Sequence, residues 1–539
     1  MKNTIPIYFL YAEIHYKLFG MLNLLWKGLP EIIADVPFRV EPETQIPVFC
    51  IIKDADIFPI NLNRIDIEII YPDHHIEKLI FPFSGFRIAE KFWEKIFYIK
   101  LKKEFSGLIK INVYFSISFN NKDYYFKNDN YKKIEHRPFE VYVSKENFPS
   151  FDNCVYGDIH YHSNFTSDIA EFGAPLEVAR EAASAIGLDF FVAVDHSYDF
   201  EHINHRSSFN FQNNNKWEKA KETAEEINKQ NPSYNGKKVI VFQGEEVSCG
   251  NSKNKNIHLI LFNYEKFVHG SGDNAVVWFK NKPDNDLKNI LAEIDGSAIA
   301  FAAHPEVKYS FLEKLFLRRS KWTNNDYLHK NLDGLQILNG ALDSPFFRGL
   351  KKWKEILLKG EKKFIVAGSD AHGNFNCYRQ VGIPMISMKE NKFHIFGNVR
   401  TGVYINGNLS EKSIISGLKK GSFFITNGPA VRFSVKNEKN EKAESGESIK
   451  GKNFYLSFEI KSNSEFGKIK NVKIILGDLN VKKEFNFKCF NNLYEYSLKE
   501  EVKLFPSSDN FYIRISASTE RNIKRYMCFT NPIWVERNE

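Results

Sequence analysis

Four segments of this 539-residue chain each end an apolar run on histidine and acid: GDIHYHS (Gly157–Ser163), VAVDHS (Val192–Ser197), FAAHPE (Phe301–Glu306) and GSDAH (Gly368–His372). An unpaired imidazole or carboxylate at a buried strand end is costly. A fold that gathers the four ends lets a few cations satisfy these groups together, using the mixture of neutral nitrogen and anionic oxygen that such ions accept. The chain is therefore constrained to bring distant segments side by side, and the chemistry it points to is a polynuclear metal site.

The period of the apolar pattern divides the chain into three parts. Up to about Asn153 it is strand-like: Ile65, Ile67 and Ile69 flank Asp66 and Glu68, and Ile109, Ile111, Val113, Phe115, Ile117 and Phe119 share a face. This predicts an accessory β-domain of sandwich type over residues 1–153. From Cys154 to about Pro429, short β-branched runs alternate with helical stretches. In Pro175–Ile186, for example, Leu176, Ala179, Ala183 and Ile186 form an apolar stripe that Gly187 ends. Such alternation predicts an α/β barrel or a doubly wound sheet over 154–430. After Asn427-Gly428-Pro429 strands return, at Phe454–Ile460, Val472–Ile475 and Phe511–Ser516, predicting a C-terminal β-sandwich-like domain over 431–539.

Composition narrows the classes. At 43% hydrophobic and 15% aromatic, the chain can build roughly three domains with real cores, so disorder is not its theme. The net charge of +8 comes from scattered lysines with no arginine-rich block and no stacking platform, so nucleic acid is a conceivable partner that the sequence does not support. The 6 cysteines lack C-x-x-C spacing, which argues against a zinc ribbon or a disulfide framework and makes reduced thiols in the cytoplasm the expectation. The apolar stretch Met1–Pro30 is interrupted by Glu13 and Lys17 and has no basic start or cleavage site. It reads as a packed helix, with a membrane-surface segment as the lesser alternative, and no membrane partner is expected.

In the middle part the expected strands are Phe190–Val194, Val239–Gln243, Ile257–Phe262, Ile299–Ala303, Leu335–Leu338 and Phe364–Ala367. Their ends carry Asp195-His196, Glu245-Glu246, His258, His304, Asn339 and Asp370 with His372. Polar groups at the C-terminal ends of parallel strands converge on one face. His258 opens its run instead, which fits only if that strand pairs antiparallel. His160 and His162 are two residues apart, so on an extended strand both imidazoles project to one side and can reach one cation.

As a set, D-x-H-x-H-S (Asp158, His160, His162, Ser163), the D-H pair Asp195-His196, A-H-P (Ala303–Pro305) and G-S-D-A-H (Gly368–His372) resemble the four motifs of the polymerase and histidinol phosphatase (PHP) superfamily. The stretches SEKSIISGLKKGSFFITNGP (Ser410–Pro429) and FTNPIWVE (Phe529–Glu536) are similar to its carbaryl-hydrolase-like branch. The resemblance implies a distorted (β/α)7 barrel of about seven strands, flanked by the two β-domains and holding two or three divalent ions, zinc, manganese or iron. By position it implies that His160, His162 and Asp370 bind a first ion. Glu246 would bridge it to a second, completed by His258 and His304, and Asp168, His196 and His372 would hold a third. Glu246 is preferred to Glu245 because Gly244–Ser248 resembles the family's G-x-E-hydrophobic-S segment. Glu246, Asp370 and His372 are then the expected catalytic residues.

Other acids have blander readings. Asp158 reads as a strand cap or a group behind the ligands, Asp195 as an orienter of His196, Glu245 as a solvent-facing or helix-directed carboxylate, and Asp168 as a possible loop residue. Arg379 could clamp a phosphate through its planar fork. Two cations sharing Glu246 would acidify a water between them and polarise the substrate oxygen. No G-x-S-x-G elbow and no glycine-rich phosphate loop compete with that reading. The expectation is a hydrolase acting on a small-molecule phosphoester. A carboxylic-ester or carbamate hydrolase is the alternative, favoured by Tyr161, Phe165 and Tyr198 near the motifs. A metal-stabilised, non-catalytic binding protein is the third.

Overall fold

Alternation in the N-terminal part becomes sheet in the computed structural model, which describes residues 28–101, 105–131, 136–166, 173–200, 215–230, 232–273, 281–376, 394–505 and 508–537. Strands Ile60–Ile70 and Gly107–Phe119 pair antiparallel. Ile65, Ile67, Ile69, Ile111, Val113 and Phe115 are fully buried. These strands belong to a six-stranded sheet that shares one apolar core with a three-stranded sheet formed by Glu31–Asp35, Ile46–Lys53 and Phe92–Ile99. The expectation for Met1–Pro30 falls almost wholly outside the described residues.

All six expected strands of the middle part form. With Cys154–His162 they lie side by side in chain order: Phe190–His196, Ile240–Gly250, Asn256–Phe262, Ile299–Ala302, Gly334–Asn339 and Phe364–Gly368. The helix read from Pro175–Ile186 spans Leu176–Ile186, and Gly187 closes it in the left-handed conformation at φ 86°. Most of that helix is buried rather than a single stripe, because Arg39 and Glu41 of the N-terminal part also pack on its end.

The α/β barrel expectation is overturned. Among the described residues there are 29 strands against seven α-helices, none longer than 14 residues, and the strands run on through several sheets. Asn256–Phe262 pairs antiparallel with both of its neighbours, and Cys154–His162 pairs antiparallel with Arg400–Tyr404. From there the sheet continues through Phe423–Thr426 into Lys524–Thr530, Asn510–Arg521, Lys468–Asp478 and Lys483–Asn491, sixteen strands in all. The physical reason lies in the strands themselves. A strand buried on both faces reads as a continuous apolar run whichever way its neighbour points, and one clear amphipathic helix does not specify how the other connections run. A further four-stranded sheet contains Ala430–Asn437 and Phe454–Lys461. No helix among the described residues is long and apolar enough to cross a membrane.

Two features of this sheet bear on the motifs. The short strand Ala371–His372 returns to pair parallel with Cys154–His162, setting His372 opposite His162. Gly368 allows the approach, since a Cβ there would stand 2.6 Å from His160 Cβ and 2.7 Å from His160 N.

Candidate metal centre

The antiparallel pairing of Asn256–Phe262 settles the position of His258. The start of that strand lies level with the end of Ile240–Gly250, with His258 paired to Ser248. Next to it, Glu246 is paired to His196 of the parallel neighbour. His304 follows the strand Ile299–Ala302 directly, and Asp370 and His372 follow Phe364–Gly368. Eight of the nine expected ligands thus come to one end of the sheet. The ninth, Asp168, lies outside the described residues, as does Arg379.

Glu246 is the hub. Its side chain is 1% exposed and its two oxygens face different partners. Oε1 is 2.8 Å from His258 Nδ1 and 2.9 Å from His304 Nε2. Oε2 is 3.0 Å from His196 Nδ1 and 3.6 Å from Nε2 of both His160 and His162. Across that pair, Asp370 Oδ1 stands 3.4 Å from His160 Nε2 and 3.2 Å from His162 Nε2. Three sets of side chains have ligand atoms within 4.8 Å of one another: His160, His162, Glu246 and Asp370; His196, Glu246 and His258; and His162, His196 and His372. The His372 ring stacks on His162 at 4.0 Å between centroids. His304 and Asp370 both hold positive φ, 28° and 56°, a strained conformation for residues with side chains and one that clusters at functional sites.

The donor set fits divalent cations. His160 Nε2 and His162 Nε2 face each other at 3.0 Å inside a fully buried pocket, and at most one proton can sit between them. A cation accepts both lone pairs at once, and the two carboxylates Glu246 and Asp370 offset its charge. Burial works to raise both of those carboxyls, but the surrounding histidines prevail and hold them well below the usual carboxylate range: His258 and His160 for Glu246, His160 and His162 for Asp370. Burial and the neighbouring His372 and His196 push His162 well below the ordinary imidazole value, so it stays neutral and ready to ligate.

His160 and His258 behave oppositely. Burial works to lower them, yet Asp370 and Glu246 lift His160 to about 9, and Glu246 and Asp273 lift His258 to about 8. Both values exceed the 6.5 of a free imidazole, so in metal-free protein the stability these protons contribute is complete below pH 6.5 and is lost as pH rises through about 8 and about 9. Cations would compete for the same nitrogens, so that loading would release protons. Metal-stripped protein is expected to melt at progressively lower temperature across that window, and calorimetry in buffers of different ionisation enthalpy should register proton release on metal addition. A flat melting profile with no proton release would contradict this arrangement.

The remaining acids lie behind the candidate ligands. Asp158 accepts from the backbone N–H groups of His160 (3.1 Å), Ser369 (2.9 Å) and Gly397 (2.9 Å), strapping three segments together. Asp195 accepts from Ser163 N (2.7 Å), Ser163 Oγ (2.7 Å) and Thr166 N (3.0 Å). Its hydrogen bonds thus shape the loop after His162 rather than orient the His196 ring as expected. Burial raises both carboxyls. Glu245 is not solvent-facing: it is buried and accepts from Val268 N at 3.0 Å.

Sequence reading missed four contributors. Gln336 Oε1 lies 2.8 Å from His160 Nδ1, and its amide donates to Asn339 Oδ1 (2.9 Å), whose own amide donates to Asp370 Oδ2 (3.1 Å). This relay links two candidate ligands, His160 and Asp370, through Asn339, which had no assigned role. A polar Gln336 inside the run GLQIL was the available signal. His394 Nδ1 stands 3.5 Å from Asp370 Oδ2. Asp273 Oδ2 lies 2.7 Å from His258 Nε2, fixing the ring so that Nδ1 faces Glu246. Arg319 Nε donates to the same oxygen at 2.8 Å. No pattern marked Asp273, His394 or Arg319, because they sit in loops far from the motifs in sequence.

No family model matches the chain, and no curated protein does. Among solved structures, a glycosyl hydrolase family 2 member from Bacteroides cellulosilyticus is 10% identical with a TM-score of 0.15, over 94% of this chain and 63% of that one. A β-glucuronidase from Parabacteroides merdae is 6% identical with a TM-score of 0.20, over 95% of this chain and 66% of that one. The trypsin-activated α2-macroglobulin of Escherichia coli is 8% identical with a TM-score of 0.15, over 95% and 24%. Likenesses of this size bear on neither architecture nor activity.

Proposed function

We propose that this chain is a polynuclear metal-dependent hydrolase of phosphoric esters. The observation that carries the reading is Glu246, a buried carboxylate whose two oxygens each face a separate group of imidazoles. The four motifs that resemble the PHP superfamily support it, because their histidines and acids are the side chains that meet around Glu246. Zinc, manganese or iron, two or three ions per chain, would be held by His160, His162, Glu246, Asp370, His258, His304, His196 and His372. When bound, such cations supply Lewis acidity and a water of lowered pKa.

The chain's own residues do the positioning. Glu246 keeps the two halves of the site in register, and Asp273 and Gln336 fix the rings of His258 and His160. The Asp370 carboxylate is 19% exposed, more than the other ligands, so it faces the incoming substrate. Its Oδ2 is held by Asn339, leaving Oδ1 toward the paired histidines, where it would complete the donor set of their cation. Tyr198 stacks on His196 at 4.7 Å and offers an aromatic wall, which favours aryl leaving groups and keeps ester or carbamate hydrolysis as a second reading.

Metal analysis combined with rates on aryl phosphate, bis-aryl phosphate, aryl acetate and aryl carbamate tests these readings on one preparation. Two or three ions per chain with phosphate esters cleaved fastest is the expected result. Fewer than one ion per chain after metal-replete growth would overturn it, and full metal occupancy without any hydrolysis would favour a binding role.

A further inference from the structure

The loop that carries Arg319 is tied to the strand that carries His258. Arg319 and Asn256 form an isolated parallel bridge, and Ser320 N donates to Asn256 O at 3.0 Å. The fully buried Asn256 amide lies within hydrogen-bonding distance of the carbonyls of Gly272 (2.9 Å), Asn281 (3.0 Å) and Leu317 (2.6 Å). One side chain therefore anchors three loops beside His258, including the two that deliver Asp273 and Arg319.

Asp273 grips only one edge of the guanidinium, through Nε at 2.8 Å. Among the described residues neither terminal nitrogen has a hydrogen bond, the nearest carboxylate being Glu313 at 3.9 Å from Nη1. The Arg319 side chain is 23% exposed, unlike the wholly buried Asp273 that it pairs with. Tyr309 lies under the guanidinium at 6.0 Å, and Tyr198, the residue stacked on His196, lies close enough to act on its charge. An arginine serving only to neutralise Asp273 would have no need of two terminal nitrogens without a hydrogen bond, one of them only loosely paired with Glu313. A fork fixed through Nε, whose terminal nitrogens make no hydrogen bond among the described residues, suits the oxygens of a phosphate, which it can engage in parallel.

We propose that Arg319 is a specificity-determining residue, whose terminal nitrogens take the non-reacting oxygens of an anionic ester on the His258 side of the site. This rests on the hydrolase reading above and narrows its substrates to esters that carry negative charge. Asp273 then has two tasks, orienting His258 and aiming Arg319, which couples the ligand shell to substrate recognition.

The test compares metal-loaded wild-type protein with Arg319→Ala and Arg319→Lys on p-nitrophenyl phosphate and p-nitrophenyl acetate, which share a leaving group and differ in charge. Metal content and melting temperature are measured on each. Arg319→Ala is expected to raise KM for the phosphate about tenfold to a hundredfold, the scale of losing a charge-assisted hydrogen bond, while leaving the acetate KM alone. Arg319→Lys should recover only part of the loss. Equal changes on both esters, or loss of metal in both variants, would overturn the proposal by making the residue structural. If the wild-type protein hydrolyses neither ester, the hydrolase reading fails separately. Calorimetric binding of inorganic phosphate then decides the role of Arg319: weaker binding by Arg319→Ala supports it, and equal binding overturns it.

Discussion

Replacing Glu246 by glutamine is expected to lower hydrolysis by about 100-fold or more, the scale of losing a major electrostatic element of an active site. The substitution keeps the shape and removes the charge that faces His258 and His304 on one oxygen and His160, His162 and His196 on the other. Both ligand groups lose their shared anion, so metal content should fall alongside activity. Glu245→Gln is the control, because Glu245 accepts from Val268 N and is absent from the ligand groups. It should cost some stability, since its carboxylate is buried, and much less activity. Activity lost in Glu245→Gln but kept in Glu246→Gln would shift the assignment by one residue. Unchanged activity in both would move hydrolysis away from this cluster.

Ending the chain before Val431 is expected to give protein that does not fold. Lys524–Thr530 pairs with Phe423–Thr426, so its removal exposes a new sheet edge in the middle of the molecule. Asn531, wholly buried, accepts from Ile365 N at 2.8 Å and donates to Phe423 O at 3.2 Å. Tyr512, Phe529 and Trp534 belong to the same apolar core as Phe346, Phe364 and Phe423. Losing burial of three large side chains costs on the order of 5–9 kcal/mol, comparable to the whole net stability of a typical domain. Soluble yield, far-ultraviolet circular dichroism and metal content read the outcome. A soluble truncation that melts cooperatively and keeps its metal would show that the sheet tolerates being cut there.

The contrast between these two experiments reflects what was legible. His160 and His162 could be recognised as a pair because strand geometry puts residues two apart on one side. The strands themselves were legible because buried apolar runs are hard to mistake for loops, and Leu176–Ile186 because its stripe ended on a glycine. Strand direction was not. Whether Asn256–Phe262 runs with or against its neighbours leaves no mark on its composition, and that choice separates the observed mixed sheet from the expected barrel. The boundary placed near Pro429 marks a change of pattern, yet hydrogen bonds cross it from Phe423–Thr426 to Lys524–Thr530.

By itself, then, the sequence determined which imidazoles and carboxylates need one another, since their positions at the ends of apolar runs leave them few other partners once buried. Strand-end placement marks these groups, the resemblance to the PHP superfamily selects Glu246 over Glu245, and His160, His162, His196, Glu246, His258, His304, Asp370 and His372 meet at one end of one sheet. Only the tertiary structure decided how they are held: Asp273 behind His258, Gln336 and Asn339 between His160 and Asp370, Asp195 spent on the Ser163–Thr166 loop, and Arg319 against Asp273. The reason is that a ligand's identity follows from its chemistry and its place in a strand. Its supports are polar groups that loop closure brings near, at separations where local pattern carries no information.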